Sequence, residues 1–169
     1  VAAMPMRPAP EGRRSLLAIK RAMAARDFKE VVTYSFVATD LDAALSEAPA
    51  IRLANPIAAQ MDVMRTTLWG GLLETLRSNL NRKASRVRLF EAGRIFLADE
   101  SAQAGPFAVA GVRQPMHLAA LAYGPAREEQ WGLPTRHVDF FDLKGDLESL
   151  MAGRIECEAA THPALHPGR

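Results

Sequence analysis

The sequence predicts an α+β domain in which an antiparallel β-sheet is flanked by helices. Residues 61–97 carry a helical period of apolar side chains followed directly by a strand period. Along the rest of the chain, strand-like and helix-like stretches alternate without the regular βαβ rhythm of a parallel sheet. Apolar residues make up 49% of the 169 positions, enough for a real core and against global disorder.

Taken in order, Val1 to Pro10 hold three prolines, and residues 1–11 read as a linker from a preceding domain, with the folded domain expected over 12–169. A helix is expected from Gly12 to about Arg26, because Leu16, Ile19, Ala22 and Met23 share one stripe. Glu30 to Val37, EVVTYSFV, is rich in β-branched and aromatic residues and predicts a strand. Thr39 to Glu47 predicts a short surface helix capped by Thr39 or Asp40 and ended by Pro49. Ile51 to Leu53 predicts a short strand, and Asn55-Pro56 a turn.

The central unit comes next. Leu68, Leu72, Leu73, Leu76 and Leu80 recur at steps of three and four, predicting a helix from Leu68 to Arg82 capped by Thr66 or Thr67. Arg86 to Phe90 then alternates charged and apolar residues, the pattern of a strand with one buried face. Gly93 inside the following run marks a bulge or a close backbone approach before Ile95, Phe96 and Leu97.

Ala98 to Gln114 lacks a period and reads as a loop or hairpin tip, and Met116 to Tyr123 as a strand. Asp139 or Asp142 starts a helix whose buried stripe is expected to hold Phe140 or Phe141, Leu143, Leu147, Leu150 and Met151. Ile155 to Ala159 is expected as a strand. The chain opens at Val1 and stops at Pro167-Gly168-Arg169, so a fragment with an incomplete sheet is expected.

The formal charge of +2 and a pI near 9.0 are too mild to argue nucleic-acid binding by themselves. Cys157 is the single cysteine, which excludes an internal disulfide and a cysteine-rich metal site, and it is expected to be buried and inert. With no apolar run of roughly 18 residues and no secretory signal, a soluble cytoplasmic protein is expected. No phosphate-binding glycine loop, paired-cysteine zinc spacing or Gly-x-Ser-x-Gly turn is present.

His162 and His166 have a metal-ligand spacing only on a helix, which Pro163 and Pro167 oppose, so both read as loop residues. His117 and His137 have no evident partner. Arg77, Arg82, Lys83, Arg86 and Arg88 form the densest basic run. Phosphate contact is one reading of it and a solvated surface the better one, since no aromatic residues interleave. Asp139, Asp142, Asp146 and Glu148 offer oxygens to Mg²⁺ but also fit an ordinary solvated helix face. Trp69 and Trp131 read as core or interface residues.

The sequence resembles the family of bacterial phenylalanine–tRNA ligase β subunits, specifically their catalytic-like domain. The resemblance rests on EVVTYSFV at 30–37, NPI at 55–57, MRTTLWGGLLETLRSNLNR at 64–82, RLFEAGRIF at 88–96, DFFDLKGDLE at 139–148 and HPALHPG at 162–168. It departs at Asp27-Phe28, where the family usually has glycine before an aromatic.

The resemblance implies a core like that of class II aminoacyl-tRNA synthetases, truncated at the C-terminus. Arg13 to Val37 then looks like the helix and strand that build a subunit interface. Gly93, Arg94, Ile95, Phe96 and Leu97 look like a motif 2 strand in which Leu97 replaces the arginine that binds the α-phosphate of ATP. Leucine has neither donor nor charge, so the resemblance implies a non-catalytic scaffold with no catalytic, cofactor-binding or metal residues of its own. ATP and Mg²⁺ would belong to the holoenzyme.

The implied partners are a catalytic α subunit, in an α/β heterotetramer, and the tRNA that the holoenzyme binds, with no membrane. Leu16, Ile19, Met23, Val31, Tyr34 and Phe36 are the expected subunit contacts. Two rival readings are a nucleotide or amino-acid site using Arg65, Glu91 and Arg94, and an RNA-contacting module using Arg77 to Arg88.

Overall fold

A computed structural model describes residues 14–151 and 155–165. The expected linker over 1–11, His166 and the residues after it lie outside the described residues. The first helix, α1 (Leu16–Ala25), is capped by Ser15, whose hydroxyl accepts from the Ala18 N–H at 3.1 Å. It ends in a reversal in which Phe28 donates to the Met23 carbonyl at 3.1 Å and Asp27 to the Ala24 carbonyl at 3.0 Å. Asp27 takes φ +66°, a left-handed conformation that short polar side chains tolerate. Asp27 therefore does the backbone work that a glycine commonly does at a helix end.

The main sheet is built on β5 (Val87–Arg94), flanked by β1 (Lys29–Glu30) and β8 (Met116–Tyr123) in the order β1-β5-β8. β5 and β8 pair antiparallel along their whole lengths, from Val87↔Tyr123 to Arg94↔Met116, but β1 runs parallel to β5. The expected antiparallel sheet is thus a mixed one. Parallel pairing is open to β1 because the intervening chain crosses the domain before β5 begins.

Register continues unbroken through Gly93↔His117, so this glycine makes no bulge. Helices cover both faces. Val87 and Leu89 pack with Leu72 of α3 (Trp69–Asn81), and Phe90 with Met23 of α1 and Phe28. Leu143 and Leu150 of α4 (Phe140–Leu150) pack against this second cluster.

EVVTYSFV is not one strand. After β1 it leaves the main sheet, and its end, β2 (Phe36–Val37), pairs with β4 (Val63–Met64) in a second sheet completed by β3 (Ile51–Arg52). Between them lies α2 (Thr39–Leu45). The side chain of Asp42 on α2 is buried and accepts from the Thr66 N–H at 3.0 Å and the Thr66 hydroxyl at 2.7 Å. Thr66 is consequently not a cap of α3, and neither is Thr67: the N-cap position is Leu68 with no side-chain cap bond, while the Thr67 hydroxyl accepts from the Trp69 N–H at 3.3 Å.

Residues 98–114 do form a hairpin, with β6 (Leu97–Ala98) paired to β7 (Val112–Arg113) and a bridge between Gly105 and Ala108 near its tip. Two expectations near the end of the chain fail. Residues 155–160 form no strand, and Cys157 there is exposed rather than buried. On α4 only part of the apolar stripe is covered: Phe140, Phe141, Leu147 and Met151 are exposed, because the core reached by this helix ends at Leu143 and Leu150.

Candidate functional site

The polar residues of the main sheet converge on Arg65, just after β4, and Glu91 in β5. Their side chains meet at 2.7 Å, and the residues are 4% and 2% exposed. Thr33, in the stretch where the chain leaves the sheet, donates its hydroxyl to the other Glu91 oxygen at 2.7 Å and its N–H to the first at 3.4 Å. Arg65 donates to the Thr33 hydroxyl at 3.0 Å and through Nε to the Arg94 carbonyl at 2.9 Å.

Glu91 thereby takes the place of a neighbouring strand for Thr33, which is why the ladder of β1 stops after Val31 donates to Phe90. Gly93 makes room for this centre: a Cβ there would lie 2.4 Å from Arg65 Nη2 and 3.0 Å from Glu91 Oε1. Its role is the close approach, not the bulge.

Of the rival nucleotide or amino-acid site, Arg65 and Glu91 are thus brought together but spent on each other and on the chain. Arg94 is exposed and donates to the Gln114 carbonyl at 2.8 Å. Leu97 is half-buried in β6, opposite Arg113.

The six expected subunit contacts fall into three groups. Leu16 and Tyr34 are exposed, at 41% and 72%; Ile19, Val31 and Phe36 are half-buried; Met23 is buried in the core and presents nothing to a partner. Sequence reasoning missed Val32, 88% exposed, which with Tyr34 stands at the mouth of a cleft of about 440 Å³ also lined by Leu41 and Gly71. The alternation of EVVTYSFV placed Val32 and Tyr34 on one face, but nothing in it said which face the core would take.

The basic run splits as well. Arg88 bonds Asp146 at 3.3 Å and the Arg26 carbonyl at 3.2 Å, and stacks on the Phe28 ring at 4.9 Å. Arg86 pairs with Asp27 and donates to the Pro125 carbonyl at 3.2 Å. The Arg86 guanidinium holds the Asp27 carboxyl below its ordinary range. Arg77 lies 3.9 Å from Glu74. Arg82 and Lys83 are exposed and make no ion pair among the described residues.

The acidic residues of α4 are likewise engaged. Asp139 caps the helix, accepting from Phe141 and Asp142, while Asp142 accepts from the Asp139 N–H at 3.0 Å and two bonds of 2.6 Å from Arg136. The Arg136 guanidinium, with the Asp139 N–H, pulls the Asp142 carboxyl far below the usual carboxylate range. Asp146 bonds Arg26 and Arg88, and Glu148 lies 3.7 Å from Lys144. His162 Nδ1 accepts from the Ala164 N–H at 3.1 Å, and Trp69 and Trp131 are both exposed rather than core.

Compared with known families, residues 1–169 match the model described as the phenylalanyl tRNA synthetase beta chain CLM domain. The chain belongs to this family. It is 55% identical over 172 residues to the phenylalanine–tRNA ligase beta subunit of Cupriavidus pinatubonensis, covering 100% of this chain and 21% of that protein. The beta subunits of Burkholderia pseudomallei and Bordetella bronchiseptica are 56% and 52% identical, again over 100% of this chain and 21% and 22% of theirs. The chain spans about a fifth of the length of the curated relatives it matches.

A pyrrolysyl tRNA synthetase structure from Desulfitobacterium hafniense superposes with a TM-score of 0.47 at 15% identity, over 83% of this chain and 44% of that one, below what a shared fold requires. No helix among the described residues is long and apolar enough to cross a membrane.

Proposed function

We propose that this CLM domain is a catalytically silent scaffold within the β subunit of a phenylalanine–tRNA ligase, and that it docks the catalytic α subunit through α1 and the segment that follows it. The observation that carries the reading is the closure of the Arg65–Glu91 centre. The buried charges best placed to hold a nucleotide or an amino acid are saturated by each other, by Thr33 and by the Arg94 carbonyl. Leu97 supplies no donor at the position where the resemblance places a phosphate-binding arginine. In this reading ATP and Mg²⁺ are held by the α subunit, which joins phenylalanine to tRNA in the cytoplasm, and the class II core survives here for packing.

The docking surface comprises Leu16, Leu17, Val32 and Tyr34, all exposed, bordered by half-buried Ile19, Val31 and Phe36. Met23 leaves the contact set because its burial makes it part of the domain's own core. Sedimentation of the chain with purified α subunit tests the proposal. A mixed complex is expected, and it is expected to be lost in the Val32→Asp, Tyr34→Asp double variant while circular dichroism stays native. A complex untouched by those substitutions overturns the docking assignment.

A further inference from the structure

We propose that the tip of the β6–β7 hairpin is a docking wedge, with Phe107 seated in an apolar pocket on another part of the same β-subunit polypeptide. The inference rests on the reading above that the chain is part of such a subunit. At the tip, Gly105 donates to the Ala108 carbonyl at 3.0 Å and Ala108 to the Gly105 carbonyl at 3.2 Å. Pro106 and Phe107 are therefore the two residues of a tight turn. Phe107 is 91% exposed and Val109 60%.

The hairpin holds this ring out by its own bonds. Pro106 sets φ at the first turn position. Lower down, Gly111 donates to the Ala102 carbonyl at 3.0 Å, Asp99 donates to the Gly111 carbonyl at 2.9 Å, and the Asp99 carboxylate accepts from the Ser101 N–H at 3.0 Å. Among the described residues, every hydrogen bond of residues 99–111 stays within the hairpin. An aromatic side chain fixed on such a turn has little freedom left to lose, which removes part of the cost that binding otherwise carries.

The composition of the tip selects the chemistry of its seat. Residues 101–112, SAQAGPFAVAGV, hold no charged side chain, so burying them desolvates no ion. Absence of charge with an aromatic at the centre is the signature of an interface core. The same absence argues against nucleic acid, since the tip offers phosphate no cation and Arg113 at its base lies 3.4 Å from Asp99. The seat is therefore an apolar protein pocket.

Area and linkage give the occupant. One buried aromatic contributes about 150–250 Å², so Phe107 and its small neighbours offer much less than the roughly 800 Å² per side of a free-standing interface. The tip needs a partner that is already held close. This segment is only 21% of the chain in its relatives, so most of the β subunit lies outside it and on the same polypeptide. A tethered seat meets the tip at high effective concentration, and it keeps an exposed phenylalanine from becoming a site of aggregation.

Phe107→p-benzoylphenylalanine, a photo-crosslinking substitution, reads the neighbour of the tip in the α/β holoenzyme. Mixing isotope-labelled with unlabelled β subunits tells crosslinks within a chain from those between chains. Mass spectrometry should find a crosslink to β-subunit residues outside the 169-residue segment and within one chain. A crosslink to α subunit, to tRNA, to a second β subunit or to the segment itself overturns the proposal. So does the absence of any crosslink.

Phe107→Asp would leave stability nearly unchanged if the ring stayed in solvent. Seated in a pocket, it should instead lower the melting temperature of the full-length β subunit by about 3 °C or more, and Phe107→Leu should restore at least half of that loss. An unchanged melting temperature in Phe107→Asp overturns the seat, and so do equal losses in the two variants. Neither readout asks whether α subunit binds through Val32 and Tyr34, so the scaffold reading stands or falls separately.

Discussion

Gly71 of α3 lies directly over Thr33: a β-carbon on the glycine would stand 2.2 Å from the threonine hydroxyl oxygen and 2.7 Å from its Cβ. Thr33 cannot retreat, because its hydroxyl and N–H are both held by Glu91. Helix, crossing segment and buried ion pair are therefore one assembly, and it sets where Val32 and Tyr34 reach the surface.

Gly71→Ala should then destabilise the domain despite the better helix propensity of alanine. Overpacking of this kind costs about 1–3 kcal/mol, against roughly 1 kcal/mol gained in the helix. Urea unfolding measures the balance. A midpoint equal to or above that of the parent chain would mean the crossing segment gives way freely.

The ion pair beneath it should show strong coupling. Glu91→Gln leaves the Arg65 guanidinium buried without a compensating charge, and breaking such a pair typically costs about 3–5 kcal/mol. Replacing both residues by methionine removes the orphaned charge as well, so the double variant should be more stable than the summed losses of Arg65→Met and Glu91→Met imply. A double-mutant cycle in urea reads that difference. Additive losses would show that the two charges do not depend on each other.

These relationships also mark what the sequence conveyed. Helical period located α3 to within a residue or so at each end, and a short apolar run ended by Gly124-Pro125 located β8 from Met116 to Tyr123. Local pattern could not reveal that EVVTYSFV divides between two sheets, because the cause is a carboxylate distant in sequence, Glu91, that captures Thr33. Nor could it separate Met23 from Leu16, or Leu143 from Leu147. An apolar stripe looks alike whether its residues meet their own core or remain open, and only the packed fold shows where the core ends. Gly93 was legible as a position of close approach, but what approaches it, Arg65, was not.

Acid should destabilise the domain, in part through α4. The Asp142 carboxyl is held well below its ordinary pKa by Arg136 and by the Asp139 N–H, and Asp27 is lowered by Arg86. A carboxylate whose folded pKa is depressed stabilises the fold above the unfolded pKa, about 3.9, and loses that contribution as pH falls toward the folded value. The melting temperature followed by circular dichroism should therefore fall below about pH 4, and Asp142→Asn should flatten part of that fall. Stability that rises on acidification would remove these carboxylates as its source.

The basic run should divide into two kinds of residue. Arg88 is a structural cation, because it bonds Asp146, supports the Arg26 carbonyl and stacks on Phe28. Arg88→Leu leaves Asp146 with Arg26 alone and should cost about 2 kcal/mol in urea unfolding. Arg82→Gln with Lys83→Gln touches no ion pair among the described residues and should stay within about 0.5 kcal/mol. A phosphate-binding surface here would draw on this exposed pair ahead of Arg77, which lies 3.9 Å from Glu74. Retention on immobilised tRNA should then weaken in the Arg82, Lys83 variant with a shallower salt dependence. Retention unchanged by that variant, or absent at low salt, leaves the run with no role in RNA contact.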